Sequence, residues 1–339
     1  MDGDPGRKPA PHLYNYTREG FTGTRTNVSR AGYSPAYTRI EGEYAPRRFD
    51  AADLFPTEGR PFPVAILRGE GVVLEAARYA AAMDFAMRNV VADEVHYIVS
   101  GAARLETDFG ALDVAHGDFV LLPRAVAWRY VGIGEPVLAL IAACEGALAV
   151  EPDPRAVLNT ALDVDGPVPF GDAAPGAYEV VVRHRGGTTS YFYAFDPLGG
   201  QAVRGAAQVR RFNIESAKGL GVASGGIAPG RLIDDATGRS LFYHLGSRRS
   251  DRPPIHCNAD YDEVIVYAGG PGAYGGMTVP GTVAWTPKGI AHHGAEEDVA
   301  EPYQAWLLET RADLSMTEAG RAVARLMETG EYAIHPSDG

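Results

Sequence analysis

Apolar residues recur along most of the chain in short runs, with glycine or proline between them. Residues 64–67, 72–76, 94–99, 103–107, 112–114 and 119–122 each have strand length, and Gly101, Gly110 and Gly117 punctuate them as turns. The pattern resumes at residues 178–183 and continues past Leu307. Closely spaced strands joined by tight turns predict a mainly β fold, a sandwich or a barrel. Apolar residues then recur at helical spacing from Thr317 to Met327 behind a Ser/Thr cap, which predicts one short C-terminal helix. Residues 1–60 are rich in Tyr, Arg, Gly and Pro without a sustained period. They predict an extended arm that packs against the body or a second subunit. Pro152, Pro154, Pro167, Pro169 and Pro175 mark a connection. The expected organisation is an arm (1–60), a first barrel (61–150), a connection (151–177), a second barrel (178–315) and a helix with its tail (316–339).

An internal repeat supports the pair of barrels. Residues 87–101 align without a gap on residues 256–270: Asn89 meets Asn258, Asp93-Glu94-Val95 meets Asp262-Glu263-Val264, and Gly101 meets Gly270. Residues 117–128 align on residues 281–292, bringing Gly117 to Gly281 and Pro123 to Pro287. Two stretches matching in the same order imply a duplicated unit. The copies differ where chemistry is concerned. Met87 stands opposite His256 and Trp128 opposite His292, so the first copy lacks both of these imidazoles.

His256, Glu263 and His292 form a set of two imidazoles and one carboxylate. Such a set leaves coordination positions open and suits a non-haem ferrous ion that also binds substrate and dioxygen. Strand alternation from Glu263 puts Ile265 and Tyr267 on its face, so Tyr267 is expected to line the site. His293 competes with His292, and Asp260 and Asp262 offer other carboxylates; the repeat favours His292 and Glu263. His244 and His293 are candidate general bases. Tyr261, Tyr267 and Trp285 are candidate aromatic walls, and Arg252, with Arg248, is a candidate anchor for a substrate carboxylate.

These two segments resemble the motifs of the cupin superfamily, His-x-His-x(3–4)-Glu-x6-Gly and Gly-x5-Pro-x-Gly-x2-His. Here they read His256, Asn258, Glu263 and Gly270, then Gly281, Pro287, Gly289 and His292. The resemblance implies two cupin (double-stranded β-helix, or jelly-roll) barrels. Asn258 departs from the pattern and leaves three protein ligands. Within two-barrel cupins, residues 253–264 and 287–293 are similar to the homogentisate 1,2-dioxygenase-like family, and residues 193–199, 212–214, 106–112 and 117–124 resemble other segments of it. The likeness covers roughly residues 60 to 310. It implies Fe(II)-dependent cleavage of a phenolic ring by O2, with His256, Glu263 and His292 as ligands. His293 stands where that family has Gly, and residues 212–230 contain no His where it has an acid/base His. The expected substrate is therefore a related hydroquinone-, catechol- or aminophenol-like aromatic. A metal-dependent cupin of other chemistry (isomerase or hydrolase) and a non-catalytic binding cupin are the alternative readings.

Composition narrows the partners. The chain has 339 residues, 45% hydrophobic and 22% charged, with a net charge of −12. An excess of acid argues against nucleic-acid binding, which needs clustered Lys and Arg. No apolar run approaches the length of a membrane span; the longest covers residues 137–144. The first residues lack a basic stretch followed by an apolar core, and Cys144 and Cys257 are isolated. Both features lead to the expectation of a cytoplasmic protein without a disulfide framework. A homo-oligomer is expected from barrel edges and the arm.

Overall fold

The computed structural model describes residues 12–21, 23–32, 34–35, 37–55, 62–150, 158–200, 202–205, 209–217, 229–246, 255–272, 274, 276–292 and 302–327. Alternation decides how its strands sit. In Asp262–Gly269, Ile265 and Tyr267 pack with Leu241, Tyr243, Ala284 and Leu307. Val264 and Val266 face the other way, among Trp285, Trp306 and Leu308. A strand with both faces covered reads as a nearly continuous apolar run, as this one does.

The described strands form three sheets. An 11-stranded sheet contains most of the first-half strands, including Asp93–Thr107 and Ala127–Cys144. An eight-stranded sheet runs through Gly230–Asp235, Ser240–Gly246, Gln304–Thr310, Asp262–Gly269 and Val283–Thr286. A three-stranded sheet joins Ile255–Asn258 to the hairpin of His12–Thr17 and Arg25–Arg30. The two large sheets meet through aromatics: Trp306 lies 5.4 Å from Tyr97 and 5.5 Å from Phe119, ring centre to ring centre.

The internal repeat is a repeat of backbone geometry. Gly101 and Gly270 both have positive φ, +83° and +104°. A Cβ there would fall 2.5 Å from the Pro136 carbonyl oxygen and 2.6 Å from that of Pro302, so neither position admits a side chain. Asn89 and Asn258 each accept backbone N–H groups two and three residues on, and their carbonyls accept from Ala125 at 2.6 Å and Gly289 at 2.8 Å. Asp93 accepts from the Arg124 and Leu148 amides, and Asp262 from those of Lys288 and Leu314. The matched polar residues thus hold the same turns in both copies.

Three expectations need correction. The hairpin of Pro175–His184 and Gly187–Phe195, expected in the second barrel, extends the first-half sheet: Val181 pairs with Met87 in a parallel register. Arg210–Asn213 likewise pairs with Asp118–Leu122. Sheet membership therefore crosses the expected boundary at 178. The C-terminal helix spans only Glu318–Val323. Thr317 caps it by accepting from the Gly320 amide at 3.0 Å. At Ala324 the backbone turns extended, and Ala324–Leu326 pairs with Arg47–Phe49. Sheet hydrogen bonds replace the last helical turns. Among the described residues, no helix is long and apolar enough to cross a membrane.

Candidate metal centre

Three backbone segments bring the site together. His256 sits on Ile255–Asn258, and its N–H and C=O exchange hydrogen bonds of 2.8 and 2.9 Å with His292, so both rings project from one face. Their centres lie 4.1 Å apart. Glu263, one residue into its strand, reaches them from the side: Oε1 is 3.8 Å from His256 Nε2 and Oε2 is 3.3 Å from His292 Nε2. One donor atom from each of the three residues lies within 4.8 Å of the other two. Donors about 2.1 Å from one ion at right angles are roughly 3.0 Å apart, so this spacing closes around a cation with small side-chain movements.

The electrostatics agree. Burial would raise the Glu263 carboxyl, yet the two imidazoles outweigh it and hold it well below the carboxylate range. Burial would lower His292, but Glu263 raises it above its ordinary value. The His292 Nδ1 lies 3.0 Å from the Ile290 carbonyl. Donation there leaves Nε2 to face Glu263, the tautomer a metal ligand requires. A divalent ion would take the place of a proton on this pair. His292 and Glu263 side chains are 9% and 8% exposed and His256 is 23% exposed, so His256 is the most exposed of the three.

Behind Glu263 the structure adds residues absent from the sequence reading. Glu309 is its cross-strand neighbour, and Asn258 Nδ2 bridges the two, 3.0 Å from Glu309 Oε1 and 3.4 Å from Glu263 Oε1. Burial, with Glu263 nearby, pushes the Glu309 carboxyl up to about 8. Beyond it the Tyr243 hydroxyl accepts from Arg231 at 3.1 Å. The arm closes this end. Phe21 meets Tyr243 edge to face at 5.3 Å, and a Cβ on Gly20 would fall 2.5 Å from Glu309 Oε2. An acid inside the fully buried strand Gln304–Thr310 was the one available signal for Glu309. Nothing in the sequence pattern marked Arg231, and the expected arm was not assigned a place beside Glu309.

The other candidates separate. Tyr267 does share the Glu263 face, but its hydroxyl is committed to the carbonyls of Gly270 and Gly272 at 2.9 and 2.5 Å. Tyr261 packs in the same cluster and donates to the Gly238 carbonyl at 2.9 Å. Trp285 is not a wall of the site: it pairs with Val264, on the opposite face from Glu263, and donates to Asp262 at 2.9 Å. His244 pairs with Trp306, which alternation also sets on the face away from Glu263. Asp262 is occupied by Trp285 and two amides, and Asp260 by Arg18 and the Glu19 amide. His293, Arg248 and Arg252 lie outside the described residues.

No family model matches the chain. Among solved structures it is similar to a cupin 2 conserved barrel domain protein from Leptotrichia buccalis (10% identity, 75% of this chain and 92% of that one, TM-score 0.44). It is also similar to protein Ylba from E. coli (10% identity, 82% and 97%, TM-score 0.40). A third is a variant of Bacillus subtilis oxalate decarboxylase (12% identity, 84% and 81%, TM-score 0.45).

Proposed function

We propose that this protein is an Fe(II)-dependent dioxygenase that opens the ring of a hydroquinone-, catechol- or aminophenol-like aromatic with O2. The observation that carries the reading is the convergence of His256, Glu263 and His292, two imidazoles and one carboxylate whose donor atoms lie within 4.8 Å of one another. Three protein donors fill half of an octahedron and leave adjacent positions for two reactants. When bound, ferrous iron supplies a Lewis acid for a phenolate and electrons for dioxygen.

The chain's own residues set the conditions. Glu263 is the single anion of the donor set, because the other two donors are imidazoles. A divalent ion with one carboxylate keeps a net positive charge, which favours an anionic phenolate over a neutral phenol. Ile290 holds the His292 ring through Nδ1, and Asn258 holds the Glu263 carboxylate through Oε1. Gly20 packs against Glu309 and Phe21 against Tyr243 at the Glu309 end. His244, on the other face of its strand, is given no part in proton transfer.

The test is oxygen uptake by anaerobically iron-loaded protein against a panel of dihydroxy and aminohydroxy aromatics. Uptake matched by ring-opening absorbance is expected, with loss of both in His256→Ala. No uptake across the panel by protein that retains iron overturns the reading.

A further inference from the structure

We propose that the strand Gly187–Phe195 is a dimerisation edge, pairing antiparallel with the same strand of a second copy of this chain about a two-fold axis near Tyr191. The inference goes beyond the metal and dioxygenase readings and depends on neither.

This strand is outermost in the 11-stranded sheet: among the described strands its ladder runs only to Pro175–His184. From Gly187 to Tyr193 that ladder is regular, without a bulge. The backbone along its outer edge is therefore laid out for a further strand. Its side chains do not follow the one-sided burial of a sheet packed on a core. Phe192 is 78% exposed on one face, and Tyr191 and Phe195 are 52% and 48% exposed on the other. A body docked on one face would cover one set of rings. A strand added at the edge stands beside both sets, because its own side chains flank both faces.

Other outer strands are protected. Leu148–Ala149 and Ser315–Met316 have two residues each, Ala324–Leu326 has three, and Arg25–Arg30 begins and ends on Arg. Shortness, charge, proline and bulges are the usual means of keeping an edge from pairing. Gly187–Phe195 has nine residues and contains neither a charged side chain nor a proline.

Three features make a second copy the occupant. An antiparallel edge is its own complement, since a two-fold axis sets the N–H groups of one copy against the C=O groups of the other. The strand is uncharged in a chain of net charge −12, so two copies can meet there without opposing like charges. Opposite charges lie at its two ends. Arg185, 74% exposed, precedes Gly187, whereas the exposed Asp172 lies just before Pro175, the partner of Phe195. Antiparallel pairing brings the Arg185 end of one copy to the Asp172 end of the other. The area is also adequate. The exposed parts of Tyr191, Phe192 and Phe195 amount to roughly 270–450 Å² per copy, so two copies bring about half of the ~1,200 Å² of a stable interface before backbone and small residues are counted.

The test is analytical ultracentrifugation of the full-length protein through a dilution series, joined to hydrogen exchange of the 187–195 amides. The wild type is expected to associate, with these amides more protected as concentration rises. Phe192→Lys and Tyr191→Lys should each weaken association at least about tenfold. Both side chains are exposed, so the thermal unfolding of the separated chains should stay unchanged. Undiminished association in both variants, or exchange within 187–195 that ignores concentration, overturns the proposal. A wild type that stays monomeric overturns it too: protected amides would then assign the edge to a segment of the same chain, and unprotected amides to a different partner.

Discussion

Glu94 and Glu263 occupy matched positions in the two halves, on matched strands with matched turns, yet they keep different company. Glu94 is enclosed. Trp128 donates to it at 2.9 Å, Asn89 at 2.9 Å and Arg183 at 3.3 Å, and His96 Nε2 lies 3.6 Å away. Burial would raise its carboxyl, but His96, Arg183 and Asn89 together lower it to about 2. Glu263 has Asn258 in the place of Asn89, and otherwise two imidazoles. The fold thus presents a buried carboxylate twice and satisfies it once from within. Arg183, bidentate to Glu75 at 2.7 and 3.0 Å and touching Glu94, is the first half's own cation. In the second half the carboxylate faces two imidazoles instead, the donor set that would hold the iron of the proposed reading.

The comparison breaks most visibly at Arg183. Arg183→Met leaves Glu75 and Glu94 buried without their cation and should cost about 3–5 kcal/mol, measured as a fall in the denaturant midpoint at neutral pH. A loss below about 1 kcal/mol would mean that Trp128, Asn89 and His96 suffice, and that Arg183 is no counterpart of a metal.

A smaller effect sharpens the contrast through pH. Glu94 titrates below its ordinary value of 4.5, at about 2, so its contribution is present above pH 4.5 and is lost as the pH falls towards 2. Glu309 is raised from 4.5 to about 8. Above pH 4.5 the unfolded chain ionises this carboxyl while the folded metal-free protein keeps its proton. Stability should therefore decline as the pH rises from 4.5 to 8 and level off beyond. Glu309→Gln should flatten that decline in metal-free protein. An unchanged slope in the variant would show that Glu309 is not the group responsible.

Much of the site was legible because the turns that carry it are repeated. Gly101 with Gly270 and Pro123 with Pro287 fixed the alignment, and that alignment singled out His256, Glu263 and His292 against Met87, Glu94 and Trp128. What stayed hidden depends on pairing across long separations. Arg183 reaches Glu94 only because its strand lies parallel to Ala86–Asn89, which no local pattern announces. Asn15 is 241 positions from His256, and their strands pair through the arm. Trp285 and His244 were misplaced for a different reason. Each lies in a strand buried on both faces at its position, where apolar character marks both faces and only the register tells which one looks towards Glu263.

On the proposed reading the protein holds one metal, beside Glu263, where Glu94 has Arg183 as its cation. Metal stoichiometry by elemental analysis, after anaerobic loading with Fe(II) and removal of free ion, tests it directly. The account predicts about one equivalent per chain in the wild type, none retained in Glu263→Ala, and an undiminished equivalent in Glu94→Gln that remains folded. Two equivalents per chain, or loss of the metal from Glu94→Gln with retention in Glu263→Ala, would contradict it.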